Sequence, residues 1–236
     1  MNAVLTAATR RRPIREPHVK LIRHITAGEV VACPAADWRS RFRLALVLGL
    51  LFGGSAWADD AEKAKTIVTK VCAACHGMDG NSTAPNFPKL AGRHPEYLVR
   101  ELKEFVSGKR KSEIMAPIAA AIDPDDFKAL GNYFGAQKPT SGQVLDPAAA
   151  ASGKKLYVDG NEEKGLPACA GCHEPDGSGN KRFPRLAGQH REYLIEQMYN
   201  FKKDVRNDNS SRLMREVAKL LSDDEIKSVA EFLTGQ

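Results

Sequence analysis

Aromatic residues are scarce in this chain. Phe, Trp and Tyr make up only 7% of its 236 residues, too few to fill large cores unless another flat apolar body is added. Strand signals are missing as well. No stretch shows the period-two alternation of a half-buried strand, which excludes a β fold and leaves an all-α one. Nor is there an apolar run that could cross a membrane. The nine residues Leu44–Phe52 fall far short of the ~20 that span a bilayer. A basic footprint for nucleic acid is absent too. The formal charge is +6, yet residues 1–58 hold nine Lys and Arg against three Asp and Glu, and residues 59–236 hold 26 of each. The basic excess lies wholly in the leader, so the electrostatic argument for a polyanionic partner fails.

The chain does contain cysteine in an informative arrangement. Four of its five cysteines lie in two copies of one pattern, Cys72-Ala73-Ala74-Cys75-His76 and Cys169-Ala170-Gly171-Cys172-His173. Cys-x-x-Cys-His is the attachment pattern of a c-type haem: two thiols form thioethers with the haem vinyl groups, and the adjoining imidazole becomes an axial ligand of the iron. Zinc or a redox dithiol are the alternative uses of Cys-x-x-Cys. Neither requires a His directly after the second Cys, and neither explains the repeat that follows. Two haems would also supply the apolar bodies that the low aromatic content calls for, and their propionates would leave the mature protein mildly acidic.

The landmarks downstream of the two motifs correspond. Phe87-Pro88-Lys89-Leu90-Ala91-Gly92 matches Phe183-Pro184-Arg185-Leu186-Ala187-Gly188 at an offset of 96, as do His94 with His190 and Glu96-Tyr97-Leu98 with Glu192-Tyr193-Leu194. Met115 matches Met214, and Phe127 matches Ile226, at 99. Kept order with small indels indicates a tandem duplication. Residues 59–138 form one domain, 139–146 a polar linker with breakers, and 147–236 the second domain. Each half reads as three helices with long loops. The first helix is expected at Ala61 to Val71 and Ala148 to Tyr157, and the middle one from Pro95 to about Val106 and Arg191 to about Lys203. The last helix starts at Asp123-Pro124, an N-cap followed by Pro, and at the capping box Ser222-Asp223-Asp224-Glu225.

The leader has three parts. Arg39, Arg41 and Arg43 precede the apolar run, and Ala56-Trp57-Ala58 offers a small-residue cleavage site, so residues 38–58 read as a secretory signal peptide cut near Ala58/Asp59. Residues 1–37 read as a mis-started extension, the alternative being a long n-region of the export signal, and Cys33 within them has no assigned role. A leader retained as an interfacial anchor is the alternative to cleavage. Export places the protein in the periplasm, where haem attachment takes place.

The sixth iron position decides the chemistry. Met78 lies too close to His76 along the chain to reach the opposite haem face, and Met198 has core spacing with Leu194 and Phe201. Met115 and Met214 each stand about 40 residues after their motif, on a stretch expected to be a loop over the open face. They are the first choice for ligands. A purely packing role for both, or ligation by His94 and His190, are the alternatives; the two histidines read better as polar or capping residues. Pro88 and Pro184, 12 and 11 residues after the histidines, are placed to offer a carbonyl to the imidazole.

Taken together these features resemble the cytochrome c4 family, two class I cytochrome c domains in tandem, over about residues 60–236. The resemblance implies a dihaem carrier passing electrons by outer-sphere transfer from a quinol-oxidising bc-type complex to a terminal oxidase, loosely associated with the inner membrane and not itself an enzyme. By motif, Cys72, Cys75, His76 and Met115 would serve one haem and Cys169, Cys172, His173 and Met214 the other. It also implies a Gly where the first helix meets the last. Gly153 with Tyr157 suits this in the second half, whereas the first half has Ala64 and Val68, a departure that predicts a looser contact. Two other readings are the dihaem electron-transfer subunit of a dehydrogenase, of flavocytochrome type, and a dihaem peroxidase.

Overall fold

The computed structural model describes residues 55–236; the expectations for the extension, for most of the signal peptide and for Cys33 lie outside them. Ten α-helices are laid out among the described residues, and no strand beyond a single antiparallel bridge, Asn161 with Leu166. In the first half these are α1 (Ser55–Ile67), α2 (Ala73–His76), α3 (Pro95–Val106), α4 (Met115–Ala120) and α5 (Phe127–Gly135). In the second they are α6 (Pro147–Asp159), α7 (Ala170–His173), α8 (Arg191–Lys202), α9 (Arg212–Leu220) and α10 (Asp223–Thr234). No helix among the described residues is long and apolar enough to cross a membrane.

The expected start signals act. Asp123 accepts the N–H of Asp125 before a short 3-10 turn leads into α5, and Asp146, for which no cap was expected, accepts two N–H groups at the start of α6. Ser222 and Glu225 form a reciprocal capping box on α10, satisfying donors that the helix cannot. The first helix begins earlier than expected and ends in a π-helical turn, Val68–Cys72, that carries the chain into the first Cys motif.

Three helices per half is an undercount. The stretches carrying Met115 and Met214 are helices, not loops. Met115 opens α4, where its N–H is accepted by Ser112 Oγ, and Met214 sits in the first turn of α9. Each helix buries a repeat-matched alanine, Ala119 or Ala218, completely. A six-residue helix with a single buried position has too little periodicity to be recognised from sequence.

In the first core Ala64 and Val68 meet Leu98, Phe127, Leu130 and Phe134, with Cys72 and Leu90 packed on its edge. In the second Tyr157, Leu194, Ala230, Phe232 and Leu233 form the equivalent body beside Cys169 and Leu186. Met198 packs on a third cluster with Leu166, Leu221 and Ile226, in the structural role expected for it. The first helix approaches the last most closely at Gly153. A Cβ added there would stand 1.9 Å from the carbonyl oxygen of Ser228 in α10.

Candidate haem sites

Each site is assembled by the same local logic. The two cysteines of a motif are three residues apart on a tight helical turn, so both sulfurs leave the backbone on one side, and the His follows at once. None of the four is in a disulfide. Burial pushes the Cys72 and Cys169 thiols up to about 11. Among the described residues no three His, Cys, Asp or Glu side chains converge as a metal cluster, so the two Cys pairs are not assembled around a shared zinc.

The histidines are held identically. His76 Nδ1 lies 2.9 Å from the carbonyl oxygen of Pro88, and His173 Nδ1 lies 2.9 Å from that of Pro184. A carbonyl can only accept, so Nδ1 carries the proton and the lone pair is left on Nε2. Both rings are buried. Burial depresses their pKa values against the smaller opposing effect of the proline carbonyl, keeping the neutral, ligating form. Nε2 of His173 is buried without any hydrogen-bond partner. A lone pair set in an apolar pocket with nothing to bond is costly unless it meets a metal, and this is the feature that an axial haem ligand explains. Phe87 and Phe183 stand edge-on to the two imidazoles, with centroids 6.4 and 5.9 Å away.

The proline carbonyls are placed by backbone hydrogen bonds. Leu90 and Ala91 N–H both donate to Gly80 O, at 2.7 and 3.1 Å, and Gly92 N–H donates to Phe134 O at 3.0 Å. In the second half Leu186 and Ala187 donate to Gly177 O, at 2.8 and 3.0 Å, and Gly188 donates to Leu233 O at 2.8 Å. The Pro-basic-Leu-Ala-Gly turn is therefore strapped between the loop after the Cys motif and the last helix. Gly80 and Gly177 adopt φ of +73° and +71°, which a side chain would strain.

Met115 and Met214 are half-buried at the starts of α4 and α9. Met78 is 43% exposed. The two alternative histidines stand at the N-cap positions of α3 and α8, as polar residues without a side-chain capping bond, one of the two roles expected for them. His190 instead donates Nε2–H to the carbonyl of Ser82 in the first domain, at 2.9 Å, which commits that nitrogen away from an iron.

The cytochrome c family model matches residues 61–137 and again 150–236, the two halves described above. Cytochrome c4 of Thiocapsa roseopersicina is 40% identical over 179 residues, covering 75% of this chain and 92% of that protein. The chain belongs to the cytochrome c4 family. The crystal structure of reduced recombinant cytochrome c4 from Pseudomonas stutzeri superposes with a TM-score of 0.70 at 40% identity, covering 74% of this chain and 97% of that one. A thiosulfate dehydrogenase electron acceptor of Stutzerimonas stutzeri (strain A1501) is 35% identical over 201 residues, 81% of this chain and 93% of that protein. This cytochrome is thus a two-domain electron-transfer protein that binds haem c covalently.

Sequence reasoning overlooked a cluster on the facing sides of α3 and α8: Glu101, Arg110, Tyr193, Gln197 and Arg206. The repeat offset of 96 that pairs Tyr97 with Tyr193 also pairs Glu101 with Gln197, Phe105 with Phe201 and Arg110 with Arg206. That signal was available.

Proposed function

We propose that this cytochrome works in the periplasm as an electron carrier, taking electrons from a quinol-oxidising bc-type complex and delivering them to a terminal oxidase. The observation that carries the reading is the repetition, in both halves, of a buried neutral imidazole whose Nδ1 proton is fixed on a proline carbonyl. Cys72 and Cys75 would hold the first haem, with His76 and Met115 as ligands of its iron; Cys169, Cys172, His173 and Met214 would do the same for the second. When bound, each haem supplies an iron that cycles between Fe(II) and Fe(III). The chain's own residues do the rest. Pro88 and Pro184 hold the imidazole orientation and raise its donor strength. A thioether from Met115 or Met214 would close the sixth position to substrates and favour the reduced state, which argues against peroxidase chemistry. The apolar clusters around Cys72 and Cys169 keep water from the attachment side.

A dehydrogenase as electron donor is the second reading, favoured by the likeness to the thiosulfate dehydrogenase electron acceptor. Spectroelectrochemical titration of the wild type beside Met115→Ala and Met214→Ala tests the ligation. Each substitution is expected to change one iron's ligand-field spectrum and lower one potential; if both leave spectrum and potentials unchanged, the axial assignment is wrong. Reduction of the purified protein by a bc-type complex, compared with reduction by a thiosulfate dehydrogenase, separates the two donors.

A further inference from the structure

The facing helices of the two domains present matched stripes. Tyr97, Glu101 and Phe105 follow one another at every fourth position of α3, as do Tyr193, Gln197 and Phe201 of α8. An arginine returns over each stripe from the turn beyond the helix. The N–H of Arg110 is tied to Glu104 O and that of Arg206 to Asn200 O, both at 3.0 Å, and the guanidiniums lie 4.6 and 4.8 Å from the rings of Phe105 and Phe201. This is the arrangement of an isologous dimer interface built within one chain.

The polar groups close into a ring across that interface. Arg110 donates from Nη1 to Glu101 Oε2 at 2.6 Å, and from Nη2 to Gln197 Oε1 at 3.2 Å and Tyr193 Oη at 2.8 Å. Arg206 donates from Nη2 to Glu101 Oε2 at 2.7 Å and from Nη1 to Gln197 Oε1 at 3.1 Å. Each guanidinium thus bridges both acceptors, and each acceptor takes both guanidiniums. Glu101 is 5% exposed, and both arginines 8%. Glu101 is the one charged acceptor in the ring. Its other oxygen carries no hydrogen bond and has Arg100 Nε 3.9 Å away, while Arg206 has Asp208 3.6 Å from its Nε.

We infer that Glu101 and Gln197 are positioning residues for electron transfer between the two haems: by sharing Arg110 and Arg206 they lock the two domains in one relative orientation. The inference rests on the carrier reading above. Both helices also pack on the clusters that border Cys72 and Cys169, so the ring ties the surroundings of one Cys motif to those of the other. The transfer it serves oxidises one iron and reduces the other and needs no further reactant. The shared acceptor oxygen matters because transfer falls steeply with misplacement, and a buried guanidinium without its acceptor will not hold a fixed place.

The test is the rate of electron exchange between the haems of the holoprotein after pulse reduction of one of them, measured with both potentials. Glu101→Ala is expected to slow the exchange by about tenfold or more. Glu101→Gln keeps an acceptor and is expected to stay within about twofold of the wild type, while raising the potentials because a buried negative charge is lost. Exchange unchanged in Glu101→Ala, or slowed equally in Glu101→Gln, overturns the inference. Should Glu101→Ala not fold, the double substitution Glu101→Gln with Gln197→Glu decides: it moves the carboxylate to the other side of the ring and is expected to keep the wild-type rate, and a tenfold loss there overturns the clasp. Failure of the carrier reading is visible separately. A wild type that exchanges no electron between its irons overturns both claims, whereas exchange that Glu101→Ala leaves untouched overturns the clasp alone.

Discussion

Replacing Gly153 by alanine should break the second domain at its tightest helix crossing. The new Cβ would lie 1.9 Å from the carbonyl oxygen of Ser228, 2.3 Å from the carbonyl carbon and 2.8 Å from Val229 N, all backbone atoms of α10. An ordinary carbon–oxygen approach is about 3.3 Å, so α6 and α10 would have to part by about 1.4 Å along the contact. No rotamer can relieve this, because neither partner is a side chain. Parting the helices loosens the packing of Tyr157, Ala230 and Leu233, all within 2% of full burial. Overpacking of this kind costs about 1–3 kcal/mol where side chains can yield, and the upper end applies where only backbone can move. Alanine recovers about 1 kcal/mol of helix propensity. The net loss should be about 2 kcal/mol or more, a fall in Tm of roughly 8 °C or more for a domain of this size. Thermal unfolding of the holoprotein, followed by circular dichroism and by absorbance of the haem, measures it. Gly171→Ala is the control, since nothing lies within 4 Å of a Cβ there. If Gly153→Ala melted within a degree or two of the wild type, the close approach of α6 and α10 would be refuted.

Other expectations follow from single contacts. Ser222→Ala removes half of the capping box on α10 and should cost about 1 kcal/mol in chemical denaturation. Glu225 accepts from Lys164 Nζ and from Ser222 N–H, which together hold its carboxyl below its ordinary 4.5. A depressed folded pKa means that the stability it lends is full above the ordinary 4.5 and is lost as pH falls from there through the folded pKa. Glu225→Gln should therefore flatten the acid limb of the stability curve below pH 4.5 while lowering the plateau above it. His190→Ala removes the hydrogen bond to Ser82 O. It should leave both haem spectra unchanged, and a lost axial band would instead make that histidine a ligand.

Much of this protein is legible from residues near one another in sequence. The haem motifs, the duplication, the caps at Asp123 and Ser222, and the proline carbonyls facing His76 and His173 all involve separations of a dozen residues or fewer, or a repeat that can be counted. The same counting missed α4, six residues with one buried position and so no stripe, and also α9, where Leu213, Met214, Val217 and Ala218 recur at helical spacing and a helix was there to be read. It placed His94 and His190 at helix starts as polar or capping residues, and they stand there without a capping bond; what it could not show is that the His190 ring turns to the other domain. The expected looseness of the first half rests on Ala64 and Val68 standing where the second half has Gly153 and Tyr157. Both are fully buried, yet α1 and α5 meet over a much shorter stretch than α6 and α10, as that departure predicts.

By itself, then, the chain's sequence determined what is bound and how often, since covalent attachment and the proximal ligand are written in five adjacent residues. It also determined that the two halves would be built alike. Only the tertiary structure decided what those halves do to each other. Glu101, Arg110, Gln197 and Arg206 are separated by up to 105 residues, and periodicity says which face of a helix is polar without saying which helix of the other domain it will meet. The physical reason is that burial is local in pattern but collective in its partner. Tyr97, Glu101 and Phe105 read as an ordinary half-polar helix face until the matched stripe of α8 closes over them.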